Sequence, residues 1–126
     1  MNLVDSSGWI EYFFSGPNVS FFANPIERTD ELLVPVICLY EVFKMVIRAA
    51  DEARGLEAVS QMKQGLVVEL SEDLALSAAL ISINHKLPMA DSLIYATGKR
   101  HNATIWTQDE DFRGLPNVRY KPAAAG

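Results

Sequence analysis

The spacing of apolar positions changes repeatedly along this chain, and each change predicts a new element. The short apolar run Met1-Asn2-Leu3-Val4, closed by Asp5, reads as a strand over Asn2 to Val4. Ser6-Ser7-Gly8 then leads into a helix on which Trp9/Phe13 and Ile10/Phe14 pair at i, i+4, and Gly16-Pro17-Asn18 ends it. A polar stretch with Glu27, Arg28, Asp30 and Glu31 precedes a second strand, Leu32 to Val36. Pro35 either pushes that strand to a sheet edge or marks its end just before a helix. Helical spacing returns from Ile37 to Ala53, with Leu39, Val42, Phe43, Val46 and Ile47 as the core face. A polar helix from Glu57 to Lys63 stops at Gly65, and Leu66 to Leu70 forms a third strand. Ser71 suits the N-cap of a helix from Glu72 to His85, with Leu76, Leu80, Ile83 and Leu87 on one stripe. Pro88 breaks the chain, a helix starts near Ala90, and Gly98 to Asn102 ends it. The strand Thr104 to Trp106, an acidic loop and a short strand Val118-Arg119-Tyr120 complete the pattern. Strands separated by helices imply an α/β fold of βαβ units with a mostly parallel sheet. Ligands of such sheets bind at the carboxyl ends of the strands.

Composition narrows the class. The chain's 126 residues suit one domain over 1–126 with its own core, and the tail 122–126 reads as flexible. Cys38 is the only cysteine, which excludes an intrachain disulfide and fits a reducing cytoplasm. Asp5 arrives too early for a signal peptide, and no run is long and apolar enough to span a membrane. The net charge of −5 counts against a passive nucleic-acid-binding module. It counts less against a nuclease whose acidic site is neutralised by metal ions.

Neither a phosphate-binding glycine loop nor a nucleophile elbow is present. His85 and His101 fall at helix ends, where a capping role is common, and Cys38 reads as a core residue. The chemistry rests instead on carboxylates. Asp5 ends the first strand, Glu41 sits in an apolar stretch one turn into its helix, Asp91 opens a helix, and Asp109 follows a strand. Each has an ordinary reading. Asp5 can be a turn or cap residue, Asp91 a favourable charge at a helix N-terminus, and Asp109 part of a solvated acidic loop. Glu41 is harder to dismiss, because a charge in an apolar pattern needs a cleft or a partner. Together these positions gather acids at one rim of the sheet, and a cluster of hard oxygen donors suits Mg²⁺ or Mn²⁺. Lys44 and Arg48 share a helix face with Glu41, placed either to meet substrate phosphates or to pair with it.

Four segments resemble, in order, the motifs of PIN-domain ribonucleases: Val4-Asp5-Ser6-Ser7, Cys38-Leu39-Tyr40-Glu41-Val42, Met89 to Thr97 with its Asp91, and Thr107-Gln108-Asp109-Glu110-Asp111-Phe112. The short form resembles the VapC-type toxins of toxin–antitoxin pairs. The resemblance implies a PIN-like three-layer fold, with a mostly parallel central sheet flanked by helices. It implies Asp5, Glu41 and Asp91 as the main metal ligands, with Asp109 completing the site and Asp111 its rival. Ser6 and Thr107 occupy the positions of hydroxyls that orient carboxylates or water. An RNA substrate such as tRNA, a cognate VapB-type antitoxin, a homodimer and a cytoplasmic site of action are further implications. Val36, where relatives often carry Ser or Thr, and Pro88 depart from the pattern without removing a ligand.

A second reading is a receiver-like or degenerate α/β interaction domain with a regulatory ion site. Paired acids directly after the first strand and an Asp after a middle strand would favour it. The chain offers only Asp5 at the first place and Ser71 at the second. A DNA or flap nuclease using the same acids is a third.

Overall fold

The computed structural model describes residues 1–124. The strands are β1 (Asn2–Val4), β2 (Leu32–Pro35), β3 (Leu66–Val68), β4 (Thr104–Thr107) and β5 (Val118–Tyr120). They form one sheet in the order β3-β2-β1-β4-β5, with every pairing parallel. The helices are α1 (Ser6–Phe13), α2 (Val19–Ile26), α3 (Val36–Ala49), α4 (Glu52–Met62), α5 (Glu72–His85) and α6 (Met89–Arg100). Parallel strands need crossovers, and crossovers are right-handed. The order therefore puts α1 to α4 on one face of the sheet and α5 and α6 on the other.

The side-chain alternation of the strands agrees. Leu3 and Ile105, registered on one face, lie against Gly98 of α6, where a Cβ would meet Ile105 at 2.7 Å. Val4 and Trp106, registered on the other, lie against α1 and α2. There a Cβ on Gly8 would meet Val4 and Phe22 at 2.6 Å, and the Trp106 ring tilts against Phe21 with centroids 5.0 Å apart. Burial on both faces is why Leu32, Leu33 and Val34 run as a continuous apolar string.

Several elements depart from the sequence expectations. Helix α2 fills a stretch to which the sequence pattern assigns no element, because Phe22, Pro25 and Ile26 bury one side of Val19–Ile26. Strand β2 is interior, not an edge, and Pro35 ends it as the N-cap of α3. The long third helix stops at Ala49, and α4 begins at Glu52 because Asp51 caps it through Arg54 N (2.8 Å). Strand β3 ends at Val68, short of Leu70. On α5 the buried face is Leu74, Ala78 and Ile81, while Leu76, Leu80 and Ile83 are exposed at 62 to 75 % and Leu87 is buried. At the start of the tail, the Pro122 carbonyl accepts from Asn18 Nδ2 (3.0 Å). The rest of the expectation for the tail, at 125–126, lies outside the described residues. No helix among those described is long and apolar enough to cross a membrane.

Candidate metal centre

The carboxyl ends of β1 and β4 lie side by side, so Asp5 and the loop after Thr107 start from neighbouring strands. Asp5 is 2 % exposed and serves as the N-cap of α1. Its Oδ1 accepts from Gly8 N (3.0 Å) and Ser7 Oγ (2.8 Å), and its Oδ2 accepts from Thr107 Oγ1 (2.6 Å). The cap reading and the site reading thus describe one residue: the bonds that start α1 also fix the carboxylate. Thr107 Oγ1 accepts in turn from Asp109 N (2.8 Å), and Asp109 Oδ1 accepts from Asp111 N (2.9 Å). A single hydroxyl therefore sets the distance between the Asp5 carboxylate and the start of the acidic loop.

Glu41 rises from α3, where Ser6 Oγ donates to its Oε1 at 2.6 Å. Asp91 stands in the first turn of α6. One carboxylate oxygen from each of Asp91, Asp109 and Asp111 falls within 4.8 Å of the others. Asp5 and Glu41 lie outside that tight triad, and the charge of Asp5 acts on Asp91. The charges of Asp5, Glu41 and Asp91 all act on the Cys38 thiol, which burial, first, and these acids push well above its usual range.

The sequence-predicted residues thus fall into three places. Asp91, Asp109 and Asp111 form the cluster, Asp5 and Thr107 its buried support, and Ser6 with Glu41 its α3 side. Lys44 and Arg48 line a cleft of about 260 Å³ with Ser6, Tyr40 and Glu41. The Lys44 ammonium sits 5.6 Å from the Tyr40 ring centroid.

Two carboxyls are held far from their ordinary ionisation. Burial raises Asp5 from 3.8 to about 6, with Asp109 adding repulsion and the Thr107, Ser7 and Gly8 bonds opposing it. Burial raises Asp91 to about 8, reinforced by the charge of Asp109, by Asp111 and by Asp5. Among the described residues, no cation figures in the causes that set either carboxyl, so the acids are crowded beyond what their own surroundings stabilise. An all-oxygen donor set with uncompensated negative charge fits a hard divalent cation.

Some supporting residues were not predicted. Ser7 stands in the first motif, yet nothing in the sequence assigns its hydroxyl to Asp5. Glu11, Asn18 and Gln108 form a network beside it: Glu11 Oε2 accepts from Asn18 N (2.7 Å), and Asn18 Nδ2 donates to Gln108 Oε1 (2.9 Å). No spacing signal joins residues so far apart in sequence.

Comparisons with known proteins bear on the fold and the family. A toxin–antitoxin complex from Klebsiella pneumoniae contains a chain 25% identical, with a TM-score of 0.77, covering 94% of this chain and 96% of that one. VapC20 of Mycobacterium tuberculosis, a sarcin-ricin loop cleaving toxin, shares the fold at a TM-score of 0.78 and 17% identity, covering 94% and 99%. So does DNA-bound VapBC from Salmonella typhimurium, at 0.75 and 15%, covering 97% and 98%. No curated protein matches the chain in sequence. The PIN domain family model matches residues 3–118. With nearly the whole length matched and the acids converging at the rim of an all-parallel sheet, this chain belongs to the PIN domain family, a family of nucleases that use divalent metal.

Proposed function

We propose that the chain is a Mg²⁺- or Mn²⁺-dependent endoribonuclease, a VapC-type toxin cleaving structured RNA such as tRNA. The observation that carries this reading is the crowding of Asp91, Asp109 and Asp111 beside buried Asp5, with two carboxyls pushed up by burial and mutual repulsion. Asp5, Glu41, Asp91 and Asp109 would hold the ion, with Asp111 able to share the fourth place. When bound, such an ion lowers the pKa of a coordinated water and neutralises charge building on a phosphate.

The chain's own residues do the positioning. Thr107 and Ser7 fix both oxygens of Asp5, and Gly8 N holds one of them from the helix start. Ser6 fixes one oxygen of Glu41, which lines the cleft beside Lys44 and Arg48. Lys44 and Arg48 line that cleft, where their charges suit substrate phosphates. Attack by water rather than by the ribose 2′-hydroxyl leaves a 5′-phosphate and a 3′-hydroxyl.

Partners follow from the same reading. The Klebsiella pneumoniae neighbour belongs to a toxin–antitoxin complex, which supports a VapB-type antitoxin here. Exposed Phe14 beside Phe13 in a cleft of about 240 Å³ between α1, α3 and α4 offers apolar surface for it. Trp9, by contrast, is core. A homodimer is supported by the exposed Leu76, Leu80 and Ile83 stripe of α5. Leu80→Glu with Ile83→Glu would then give a monomer by light scattering, and an unchanged mass would remove that support. One domain over 1–126 acting in a reducing cytoplasm, with buried Cys38 free, completes the proposal.

The test is cleavage of total tRNA by the purified protein with Mg²⁺, with end-group analysis. Cleavage abolished by EDTA, with 5′-phosphate ends, is expected. Cleavage that survives EDTA, or 2′,3′-cyclic phosphate ends, would overturn the metal mechanism.

A further inference from the structure

Beyond the acids, the β5 edge carries an arrangement that the catalytic reading does not use. Strand β5 is the last strand on its side of the sheet. Arg119 and Lys121 alternate onto the face that carries Trp106, as the register of Trp106 with Arg119 requires. The Arg119 guanidinium lies 4.8 Å from the Trp106 ring centroid, Trp106 leans on Phe21 at 5.0 Å, and the Lys121 ammonium lies 5.8 Å from the Phe21 ring centroid. Cation, ring, ring and cation thus form one continuous ladder. On the opposite face of the strand, the Arg113 guanidinium lies 5.8 Å from the Tyr120 ring centroid. All three cations are on exposed residues.

The ladder joins the acidic site directly. Tyr120 is registered with Thr107, and Lys121 N donates to Thr107 O at 3.0 Å. Thr107 is the residue whose hydroxyl holds Asp5. Arg113 follows the acidic turn Glu110–Phe112, two residues after Asp111. The chain as a whole carries −5 and so repels a polyanion. A phosphate backbone brought to this rim therefore needs local cations. Lys44 and Arg48 supply them on the α3 side, and the β5 ridge is the matching supply across the site.

We propose that Arg113, Arg119 and Lys121, held by Tyr120, Trp106 and Phe21, form a binding track for the backbone of single-stranded RNA leading to the acidic centre. The proposal rests on the nuclease reading for the identity of the polyanion. The rings hold the cations in place over their faces, so little side-chain freedom is lost when phosphates arrive. Arg119 in β5 and Lys121 just past its end, where Lys121 N still bonds to Thr107 O, stand about 7 Å apart along an extended backbone. That is comparable to the step between successive phosphates of an extended strand. The combination of aromatic rings and a cationic groove is a recurring device for single-stranded nucleic acid.

Charged edge strands also guard against edge-to-edge association, and the experiment separates the two roles. Binding of a short fluorescent single-stranded RNA is measured by anisotropy, without divalent ions, over a series of salt concentrations. The proteins are the wild type, Arg113→Gln/Arg119→Gln/Lys121→Gln, and Lys63→Gln on the opposite side of the sheet. Removing one cation from a phosphate should flatten the log K against log salt slope by about 0.7, so the triple variant should be shallower by about 2. Its affinity at low salt should fall ten-fold or more. In Mg²⁺ its KM for RNA should rise while kcat holds. Lys63→Gln should track the wild type. Should the triple variant melt well below the wild type, Lys121→Gln alone carries the test, with a slope change of about 0.7. An unchanged slope overturns the track, whether or not the variant self-associates or loses a protein partner. Wild-type binding without any cleavage, together with a flattened slope, would leave the track standing and remove the nuclease reading. Wild-type cleavage with an unchanged slope would do the reverse.

Discussion

Replacing Asp5 by Asn separates what this carboxylate does for the fold from what it does for the site. The variant keeps the size of the side chain and one acceptor oxygen, so the bonds from Gly8 N and Ser7 can persist. It loses the acceptor for Thr107, whose hydroxyl already takes a bond from Asp109 N and is left without a place for its own proton. An unsatisfied buried hydroxyl costs about 1–3 kcal/mol. Against this stands the cost of ionising Asp5 where it is. The rise from 3.8 to about 6 corresponds to about 3 kcal/mol for a fully buried group. The sign is fixed by linkage. Between those values the unfolded chain has released the proton while the folded chain still holds it. Metal-free wild-type stability therefore falls as pH rises through this window. The Asn variant has no such loss.

The stability of Asp5→Asn relative to wild type should then climb by about 3 kcal/mol between about pH 3.5 and pH 7. The variant should be weaker at the acid end and equal or stronger at neutrality. Asp91 titrates in both proteins, and Asp5 is the smallest contributor to its rise, so its own effect largely cancels in the difference. Urea unfolding in EDTA at several pH values measures the difference. RNA cleavage in Mg²⁺ should meanwhile drop by about 100-fold or more. A stability difference that stays flat with pH would refute the account of Asp5 as a buried, uncompensated acid. A stable variant with full cleavage would refute its place in the site.

Other outcomes follow from the same geometry. Mg²⁺ or Mn²⁺ should raise the melting temperature of the wild type, more steeply as pH rises toward about 8, because Asp91 must ionise to bind. Calorimetry should show weaker binding by Asp91→Asn, and equal binding would remove Asp91 from the ligand set. Asp109→Asn and Asp111→Asn, compared in the same cleavage assay, assign the fourth acid to whichever loses more activity. Asp109 is expected to, since its backbone is tied to Thr107 and through it to Asp5. Gly8→Ala puts a methyl 2.6 Å from Phe22 and Val4, which must move. A loss of about 1–3 kcal/mol in urea is expected, and an unchanged midpoint would show that α1 can shift freely.

The alternation of strands and helices, and with it a parallel α/β sheet, was legible in the order of the residues. So was the placing of acids where strands end or helices open, because polar residues interrupt apolar runs at those points. Asp5, Asp91 and Asp109 could be singled out for that reason, and Glu41 because a charge in an apolar helical stretch needs a cleft or a partner. Periodicity could not say which side of a helix faces inward when both sides are apolar. On α5 the larger stripe Leu76, Leu80 and Ile83 faces outward, and the smaller Leu74, Ala78 and Ile81 meets the core. The stretch after Asn18, to which the pattern assigns no element, forms α2 because Phe22 and Ile26 found a sheet face to cover, a gain that no local propensity records. Pro35 allowed either an edge or a strand end, and only the pairing of β2 between β1 and β3 decided. The finer parts of the site also waited on the fold. Ser6 meets Glu41 across 35 positions, and Thr107 meets Asp5 across 102. The rise of Asp5 and Asp91 is a property of burial and neighbouring charge, and both exist only once the strands and helices bring those positions to one rim.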